Sequence, residues 1–355
     1  MDIYAIWLYS INGIGPIRFR MIKERYNTIK NFYENRKDAN QKFISEDAKK
    51  EIFKGDLSFA ERIIEKCNKE DIHIIYEDDD IYPDDFKNYE DSPPIFYLKG
   101  DKEILKNTNK ISIIGTRYPT YYGKKVATEL SEMLAQNNII IVSGMAKGID
   151  TFAHTAALKY NKTIAVLGCG VDVVYPRENT KLYMDIIENG CVLSEYPPET
   201  KPDKGNFPQR NRIISMLSDI LVVVEAPLKS GIFSTVDAAL DQGKDIYVVP
   251  GNITSPKSAG TNKLIREGAK VICSIDDFLQ DIGITDLKNN DKNDQEQLTN
   301  DEKYILSLIE TEGAMDVEKI AELSKRQISD ILSILTMLEI KGKIQKERAS
   351  KYIKI

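Results

Sequence analysis

The stretch Ile111-Ser112-Ile113-Ile114-Gly115-Thr116-Arg117 is a short apolar run followed at once by a glycine turn and a cation. The same order, an apolar run, a turn and a segment with helical spacing, recurs as far as Lys270. The later apolar runs are 139–142, 164–167, 192–193, 220–224 and 246–249. Short apolar runs that alternate with helical segments predict βαβ units, and strands without polar alternation are typical of a sheet covered by helices on both faces. We therefore predict an α/β fold with an extended, doubly wound, Rossmann-like core.

The turns that follow these strands are expected to meet at one edge of the sheet. In a parallel sheet every strand-to-helix turn lies at the carboxyl edge, where ligands bind. Gly115 and Gly144 let the backbone approach a ligand closely, and helix N-termini behind such turns favour anions. Glycines can also simply end strands, but several of them converging on one edge predict a site for an anionic ligand, in particular a phosphate.

The composition limits the classes of protein that fit. The chain has 355 residues and a formal net charge of −6, so any nucleic-acid contact has to come from local basic patches. Its four cysteines are dispersed and no apolar run reaches the length of a membrane span, so we expect a soluble, cytoplasmic protein with reduced thiols. The sequence contains no Cys/His cluster, so no metal is predicted, and we expect His154, one of two histidines, to be structural.

Nucleotide-binding fingerprints are missing from the predicted core. Gly115 is not followed by a second glycine two residues later, and Gly168-Cys169-Gly170 lacks the third glycine of a dinucleotide motif. No GxxxxGK[ST] sequence occurs either. We therefore predict no cofactor, and neither a dinucleotide enzyme nor a P-loop ATPase.

Positive charge and aromatic character coincide in one turn of the core. The segment 204–212 reads Lys-Gly-Asn-Phe-Pro-Gln-Arg-Asn-Arg, so Phe207 stands between cations. This pattern suits a single-stranded nucleic acid, because cations pair with the backbone while a base stacks on the ring. Alternatively, Phe207 is a core residue at the start of a helix and the arginines are solvated. Arginines at a helix N-terminus oppose the helix dipole, however, which favours an anionic partner.

Several ordered motifs together resemble the DNA-processing protein A family (DprA, also called Smf). They are 114–117 (IGTR), 143–150 (SGMAKGID), 175–179 (YPREN), 205–214 (GNFPQRNRII) and 260–262 (GTN). The resemblance implies a Rossmann-like domain that binds single-stranded DNA and forms homodimers. It also implies that the protein protects incoming DNA and helps to load RecA, as in natural transformation.

The resemblance, together with the basic turns, implies a set of site residues. The predicted DNA-binding residues are Gly115, Thr116, Arg117, Gly144, Lys147, Arg177, Lys204, Phe207, Arg210, Asn211 and Arg212. The cations expected to neutralise successive phosphates are Arg117, Arg177, Lys204 and Arg210. The N–H groups of Gly115 and Gly144 are expected to supplement these cations, and Phe207 is expected to stack on a base.

Composition divides the chain into four predicted segments: a helical domain (1–70), the Rossmann-like domain (71–280), an acidic linker (281–297) and a winged helix (298–355). The hairpin Leu8–Arg18 resembles a helix-hairpin-helix, whose backbone N–H groups contact a DNA phosphate; the same turn can also merely join two helices. Residues 276–296 contain seven acidic residues against two lysines, which predicts a solvated linker.

The last segment predicts a winged helix on its periodicity. Thr299 is placed to cap the first of three helices, and two short runs at 341–346 and 351–355 are expected to pair as a wing. The last fifteen residues contain six Lys or Arg against one Glu. This charge suits a wing that contacts DNA, but winged helices also bind proteins, and both roles stay open.

These features predict a non-catalytic, single-strand-binding recombination mediator. One alternative is a Rossmann-like hydrolase or transferase that acts on a nucleotide, with Glu195 or Glu225 as its acid or base. Another is a nucleotide-sensing regulator that binds duplex DNA through the winged helix.

Overall fold

The computed structural model describes residues 2–37, 43–284, 298–346 and 351–354. The chain forms two compact units, one up to Ile284 and one from Thr285 onwards. Each unit has a hydrophobic core of its own. The predicted boundary at residue 70 lies inside the first unit, and residues 285–297 of the predicted linker lie outside the described residues.

Among the residues that the structure describes, the N-terminal part of the first unit contains five helices. They are α1 (Ile3–Ser10), α2 (Pro16–Tyr26), α3 (Ile29–Glu34), α4 (Glu46–Lys54) and α5 (Ser58–Lys69). Asp2 caps α1 by accepting hydrogen bonds from the N–H groups of Tyr4 and Ala5. Pro16 starts α2, where a helix needs no N–H donor. The hairpin expected around Leu8–Arg18 therefore connects α1 and α2.

A nine-stranded sheet forms the centre of this unit, in the order β1-β2-β6-β5-β4-β3-β7-β8-β9. The strands are β1 (His73–Tyr76), β2 (Ile95–Gly100), β3 (Lys110–Ile114), β4 (Ile140–Ser143), β5 (Thr163–Val166), β6 (Cys191–Ser194), β7 (Ile220–Val223), β8 (Asp245–Val248) and β9 (Lys270–Val271). Strands β3 to β9 are parallel, whereas β1 and β2 are antiparallel additions at one edge. The predicted extended Rossmann-like sheet is confirmed.

The sheet has a hydrophobic core on each of its two faces, because successive side chains of a strand point to opposite faces. Tyr97, Ala165 and Val192 pack on the same side as α1 to α5, whereas their neighbours Phe96 and Val166 belong to the core on the opposite side. One strand can therefore serve both cores. The N-terminal helices are thus packed directly on the sheet.

Eight further helices connect the strands or follow the last one. They are α6 (Asp84–Lys87), α7 (Tyr121–Gln136), α8 (Ile149–Ala157), α9 (Thr180–Asn189), α10 (Asn206–Met216), α11 (Phe233–Asp241), α12 (Ala259–Arg266) and α13 (Ile275–Asp281). The strand order reverses between β3 and β7, which makes this the topological switch point. The turns after β3, β4, β5 and β7 open at the same carboxyl edge beside it.

The first part of the segment expected to form a solvated linker, from Asp276 to Asp281, is helical instead. Residues 275–281 form α13, capped by the Ser274 hydroxyl. Phe278 is buried and its ring lies 4.8 Å from that of Tyr247. The acidic residues of this helix made the segment resemble a linker in the sequence. They lie on its exposed face and in its first turn, where negative charge stabilises a helix through its dipole.

The second unit contains three helices and a two-stranded hairpin. These are α14 (Asn300–Glu312), α15 (Val317–Ser324), α16 (Ile328–Ile340), β10 (Ile344–Lys346) and β11 (Tyr352–Lys354), with β10 and β11 antiparallel. Thr299 and Glu302 form the expected capping box of α14. The predicted winged helix is confirmed. In the part of the chain that the structure describes, no helix is both long and apolar enough to cross a bilayer.

Candidate nucleic-acid interface

An open cavity of about 600 Å³ lies at the carboxyl edge, beside the switch point. It is bounded by the turn after β3, the start of α10 and the turn between β7 and α11. Its lining includes Gly115, Thr116, Arg117, Tyr118, Asp150, Tyr175, Lys204, Phe207, Arg210, Asn211, Lys229 and Ser230. The cavity thus brings together residues from turns that are far apart in the sequence.

Two glycines permit close packing around the cavity and its neighbourhood. A Cβ on Gly115 would lie 2.3 Å from Cγ1 of Ile149, and a Cβ on Gly168 would lie 2.8 Å from Cδ1 of Phe207. Real Cβ atoms do not approach so closely, so a larger residue at either position would displace its neighbour. The absence of a side chain at Gly168, just after β5, therefore makes room for the Phe207 ring.

Three cations surround the cavity with their side chains in solvent. Arg117, Lys204 and Lys229 are exposed, and none of them forms an ion pair with another residue that the structure describes. Since each comes from a different turn, their charges converge on the cavity without neutralisation. Cations arranged in this way attract a polyanion.

Aromatic rings supply the other element of the site. The Phe207 and Tyr175 rings lie 5.5 Å apart between centroids, tilted by 37°. Together with Tyr118 they also line a second cavity of about 190 Å³, which adjoins the first. Arg210 lies 5.7 Å from the Phe207 centroid. Phe207 is half-buried, so part of the ring remains available to a ligand.

Arg210 is placed differently from the prediction, which assigned it to a phosphate. Its side chain is buried, and its guanidinium donates to the carbonyl oxygens of Gly144 (2.9 Å) and Val166. Burial lowers the pKa of Arg210, and the nearby Asp150 carboxylate opposes that effect. In this arrangement Arg210 ties the ends of β4 and β5 together beneath the Phe207 ring.

The Gly144 N–H was expected to face a phosphate, but it donates to the Asp150 carboxylate at 3.1 Å instead. The same oxygen accepts the N–H of Ala146 at 3.3 Å. Burial raises the pKa of Asp150 to about 6, although the Arg210 charge opposes the shift. The turn after β4 is therefore held from inside, by Asp150 at the start of α8.

Arg212 does not line either cavity. Its guanidinium donates to both oxygens of Glu195, at 3.0 and 2.6 Å, and its Nε lies 3.4 Å from an oxygen of Asp91. Burial lowers the pKa of Arg212, but the charge of the Glu195 carboxylate and its hydrogen bond to Arg212 outweigh that effect. The pKa of Arg212 is therefore raised. The contact with DNA predicted for Arg212 does not fit this placement.

Glu195 and Glu225, the acids of the enzymatic alternative, are both engaged in structural contacts. Glu195 binds Arg212, and Glu225 accepts hydrogen bonds from the N–H (2.8 Å) and hydroxyl (2.9 Å) of Thr120, which caps α7. Neither carboxylate lines the cavities. The arrangement thus offers no acid or base from this pair to a bound ligand.

The remaining predicted residues lie around the rim or support it. Lys147 forms an ion pair with Glu178 beside the smaller cavity, and Arg177 is exposed but lines neither cavity. Asn211 accepts from Nε of Arg210 (3.1 Å) and donates to the Ser234 hydroxyl (2.9 Å), while Thr116 is buried below the turn. The Asn211 side chain therefore holds α10 to the start of α11.

Four residues that line the cavity are not among the predicted DNA-binding residues: Tyr118, Asp150, Tyr175 and Lys229. Each stood within a motif or a basic turn, but its role depends on contacts between distant segments. The sequence spacing does indicate one part of the site: Phe207, Arg210 and Asn211 are separated by three and four residues, so they share one face of α10. Arg212 falls outside this face, in agreement with its contact with Glu195.

The fold and this site define an α/β protein with a Rossmann-like core, a cavity lined by cations and aromatic rings, and an appended winged helix. The family model described as DNA recombination-mediator protein A matches residues 73–283, and a model of the DprA winged helix domain matches residues 290–348. The chain therefore belongs to the DNA recombination-mediator protein A family.

Individual relatives agree with this assignment. The DNA processing protein DprA of Bacillus subtilis is 40% identical over 222 residues, covering 62% of this chain and 75% of the relative. The X-ray structure of DprA from Streptococcus pneumoniae has a TM-score of 0.69 and 32% identity, covering 79% of this chain and 98% of that one. A structure of DNA processing protein A from Helicobacter pylori, described for its single-stranded DNA binding mode, has a TM-score of 0.56 and 36% identity over 59% and 95% of the two chains.

Proposed function

We propose that this protein is a non-catalytic, single-stranded-DNA-binding recombination mediator. The observation that carries the proposal is the cavity at the switch point, where unpaired cations surround a half-buried Phe207 ring and the exposed rings of Tyr175 and Tyr118. Single-strand-binding proteins combine a basic groove for the backbone with rings on which bases stack. The relative from Helicobacter pylori, described for its binding of single-stranded DNA, supports the same ligand.

In the proposed mechanism Arg117, Lys204 and Lys229 neutralise phosphates, and Arg177 extends the basic rim. A base stacks on Phe207, whose ring rests on Gly168 and is backed by Tyr175. Arg210 acts indirectly: it holds the ends of β4 and β5 in place next to the Phe207 ring. Its charge also adds to the positive potential of the cavity. Because stacking and backbone contacts do not read base edges, binding is largely independent of sequence.

The finer role follows from the family description as a recombination mediator. We propose that the protein covers incoming single strands, transfers them to RecA and acts as a homodimer through the Rossmann-like unit. Two linked grooves would raise the affinity for a long strand without new contacts. A shorter lag in RecA's DNA-dependent ATP hydrolysis, and a dimer in sedimentation, are the expected results.

Fluorescence anisotropy with a labelled single-stranded oligonucleotide tests the central proposal. Duplex DNA and mononucleotides serve as competitors, and the salt concentration is varied. With about four phosphate contacts, the log–log salt slope should be roughly −3. We expect strong preference for the single strand, weak competition by mononucleotides and a clear loss of affinity for Arg117→Ala.

Arg266→Ala provides the matched control. Arg266 is also exposed, but it lies in the last turn of α12, away from the cavity. If Arg117→Ala and Arg266→Ala bind equally well, the cavity is not the DNA site. Displacement of the oligonucleotide by a mononucleotide at similar concentration would favour a nucleotide-binding enzyme instead.

A further inference from the structure

Beside the cavity, two loops carry three strongly exposed apolar side chains. Among the residues that the structure describes, Ile253 (91%), Tyr118 and Tyr121 (71% each) are the most exposed large apolar side chains. Tyr118 and Tyr121 stand between β3 and the first turn of α7, and Ile253 stands in the loop after β8. Concentrated apolar exposure next to a functional cavity marks a binding surface.

The two loops are tied to each other by specific hydrogen bonds. Nζ of Lys257 donates to the carbonyl oxygen of Tyr118 at 2.6 Å and lies 5.6 Å from the centroid of its ring. The Tyr122 hydroxyl donates to the carbonyl oxygen of Pro250 at 3.0 Å. Both ends of the loop 250–257 are therefore attached to the segment that carries Tyr118, and the ring is held beside a cation.

Tyr118 faces the same space as the proposed DNA site. It lines both cavities, adjoins Arg117 in the sequence and shares the smaller cavity with Tyr175 and Phe207. Tyr118 and Arg117 thus line the same cavities as the Phe207–Tyr175 pair.

We infer that Tyr118 and Lys257 form a second base-stacking site for single-stranded DNA. The strand would run from Phe207 past Arg117 to Tyr118, where one base stacks on the ring and Lys257 binds the adjoining phosphate. Tyr121 and Ile253 widen the apolar surface for that base. This inference deepens the proposed function and rests on it.

Charge favours a nucleic acid over a protein as the occupant of this surface. Arg117 and Lys257 flank the Tyr118 ring, and aromatic rings alternating with cations match the alternation of bases and phosphates along a strand. The surface is also continuous with the cavity, because Tyr118 belongs to both. A strand bound at Phe207 would therefore meet Tyr118 next.

Length-dependent binding tests the inference. Wild type, Tyr118→Ala, Tyr118→Phe and Lys257→Ala are compared on oligothymidines, from the shortest that wild type binds to a length that saturates the affinity. On the long strand Tyr118→Ala should bind about 5- to 150-fold more weakly, as expected for one lost stack. Tyr118→Phe should bind normally, and Lys257→Ala should reduce the magnitude of the salt slope by about 0.7. On the shortest strand all four proteins should be equal.

Photocrosslinking to oligonucleotides that contain 5-iodouracil identifies the stacked rings directly. Mass spectrometry should find adducts on Tyr118 as well as on the Phe207–Tyr175 pair. Suppose that adducts form on the Phe207–Tyr175 pair alone and that Tyr118→Ala binds oligothymidines of every length like wild type. This result would overturn the second base-stacking site and leave the proposed function intact. Failure of wild type to bind any single strand would overturn both.

Discussion

The Arg212 guanidinium binds both carboxylate oxygens of Glu195, at 3.0 and 2.6 Å, and the Tyr9 hydroxyl of α1 lies 3.5 Å from the same carboxylate. Both side chains of the ion pair are largely buried, with 15% of Arg212 and 7% of Glu195 exposed. This pair links α10, which presents Phe207 to the cavity, to the end of β6 and the N-terminal helices. Its role is therefore to fix the position of α10.

Removing one partner of this pair should destabilise the first unit. Glu195→Gln leaves Arg212 as a buried charge with a weaker partner, and breaking buried pairs in this way costs about 3–5 kcal/mol. Urea unfolding should show the loss, and the double variant Arg212→Met/Glu195→Leu should recover part of it. Normal stability of Glu195→Gln combined with lost DNA binding would instead place Glu195 at the ligand.

The Phe207 ring should contribute to affinity but not to the salt dependence. Phe207→Ala removes a stack worth on the order of 1–3 kcal/mol, while the phosphate contacts remain. Anisotropy titrations at several salt concentrations should show weaker binding with an unchanged slope. Phe152→Ala is the control, since Phe152 also lies beside a cation, Lys124 at 5.0 Å, but lines neither cavity. Equal affinities of the two variants would contradict stacking on Phe207.

Gly168→Ala should impair DNA binding without touching a charge. The new Cβ would lie 2.8 Å from the Phe207 ring, so the ring has to shift from its place over β5. Gly231→Ala, at the rim of the same cavity, meets no atom within 4 Å and should bind DNA like wild type. The prediction is wrong if both alanine variants have the same affinity for the labelled strand.

His154 should make the first unit sensitive to acid. It is fully buried, its Nδ1 lies 2.7 Å from the Thr163 hydroxyl, and burial lowers its pKa to about 3. The unfolded chain takes up a proton near pH 6.5, whereas the native state does so only near its lower pKa. Stability should therefore fall by about 1.4 kcal/mol per pH unit as the pH decreases from about 6.5 towards 3.

The comparison of wild type with His154→Leu isolates this contribution. Asp150, whose pKa is raised to about 6 by burial, contributes the opposite slope, since its stabilising effect is lost as the pH rises through 6. That term is common to both proteins and cancels in the difference of their unfolding free energies. A difference that does not change with pH would show that His154 titrates normally.

A chain truncated after Ile284 should bind single-stranded DNA as well as the full chain. The cavity lies within the first unit, which has its own cores. In the second unit α16 contains no Lys or Arg and exposes Ile328, Leu332 and Met337. Two lysines of this unit also form ion pairs: Lys341 with Glu302, and Lys354 with Glu310. Much weaker binding by the truncated chain would instead assign DNA contact to the wing.

The local features of the fold could be predicted because they depend on neighbours in the sequence. Apolar runs located the strands, glycine turns located the carboxyl edge, and Thr299 with Glu302 located the start of α14. Arg117, Lys204 and Phe207 were also expected at one site, and the structure places all three around the same cavity. Turn position and residue type suffice for such predictions, since all strand-to-helix turns of a parallel sheet share an edge.

The direction of the arginines on α10 was decided only by the tertiary structure. Arg210 turns inward because the carbonyl oxygens of Gly144 and Val166, at the ends of two other strands, need donors. Arg212 meets Glu195, which follows β6, and Asp91, which precedes β2, and only folding brings these segments together.

The sequence by itself determined the family, the order of elements and which turns carry charge, because these follow from periodicity and motif. Folding decided which of those charges stay free for a ligand. A cation remains available to a ligand if its charged group is not buried against carboxylate or carbonyl groups of distant segments, and that condition depends on the packing of the whole unit. Arg117 and Lys204 meet this condition, whereas Arg210 and Arg212 do not.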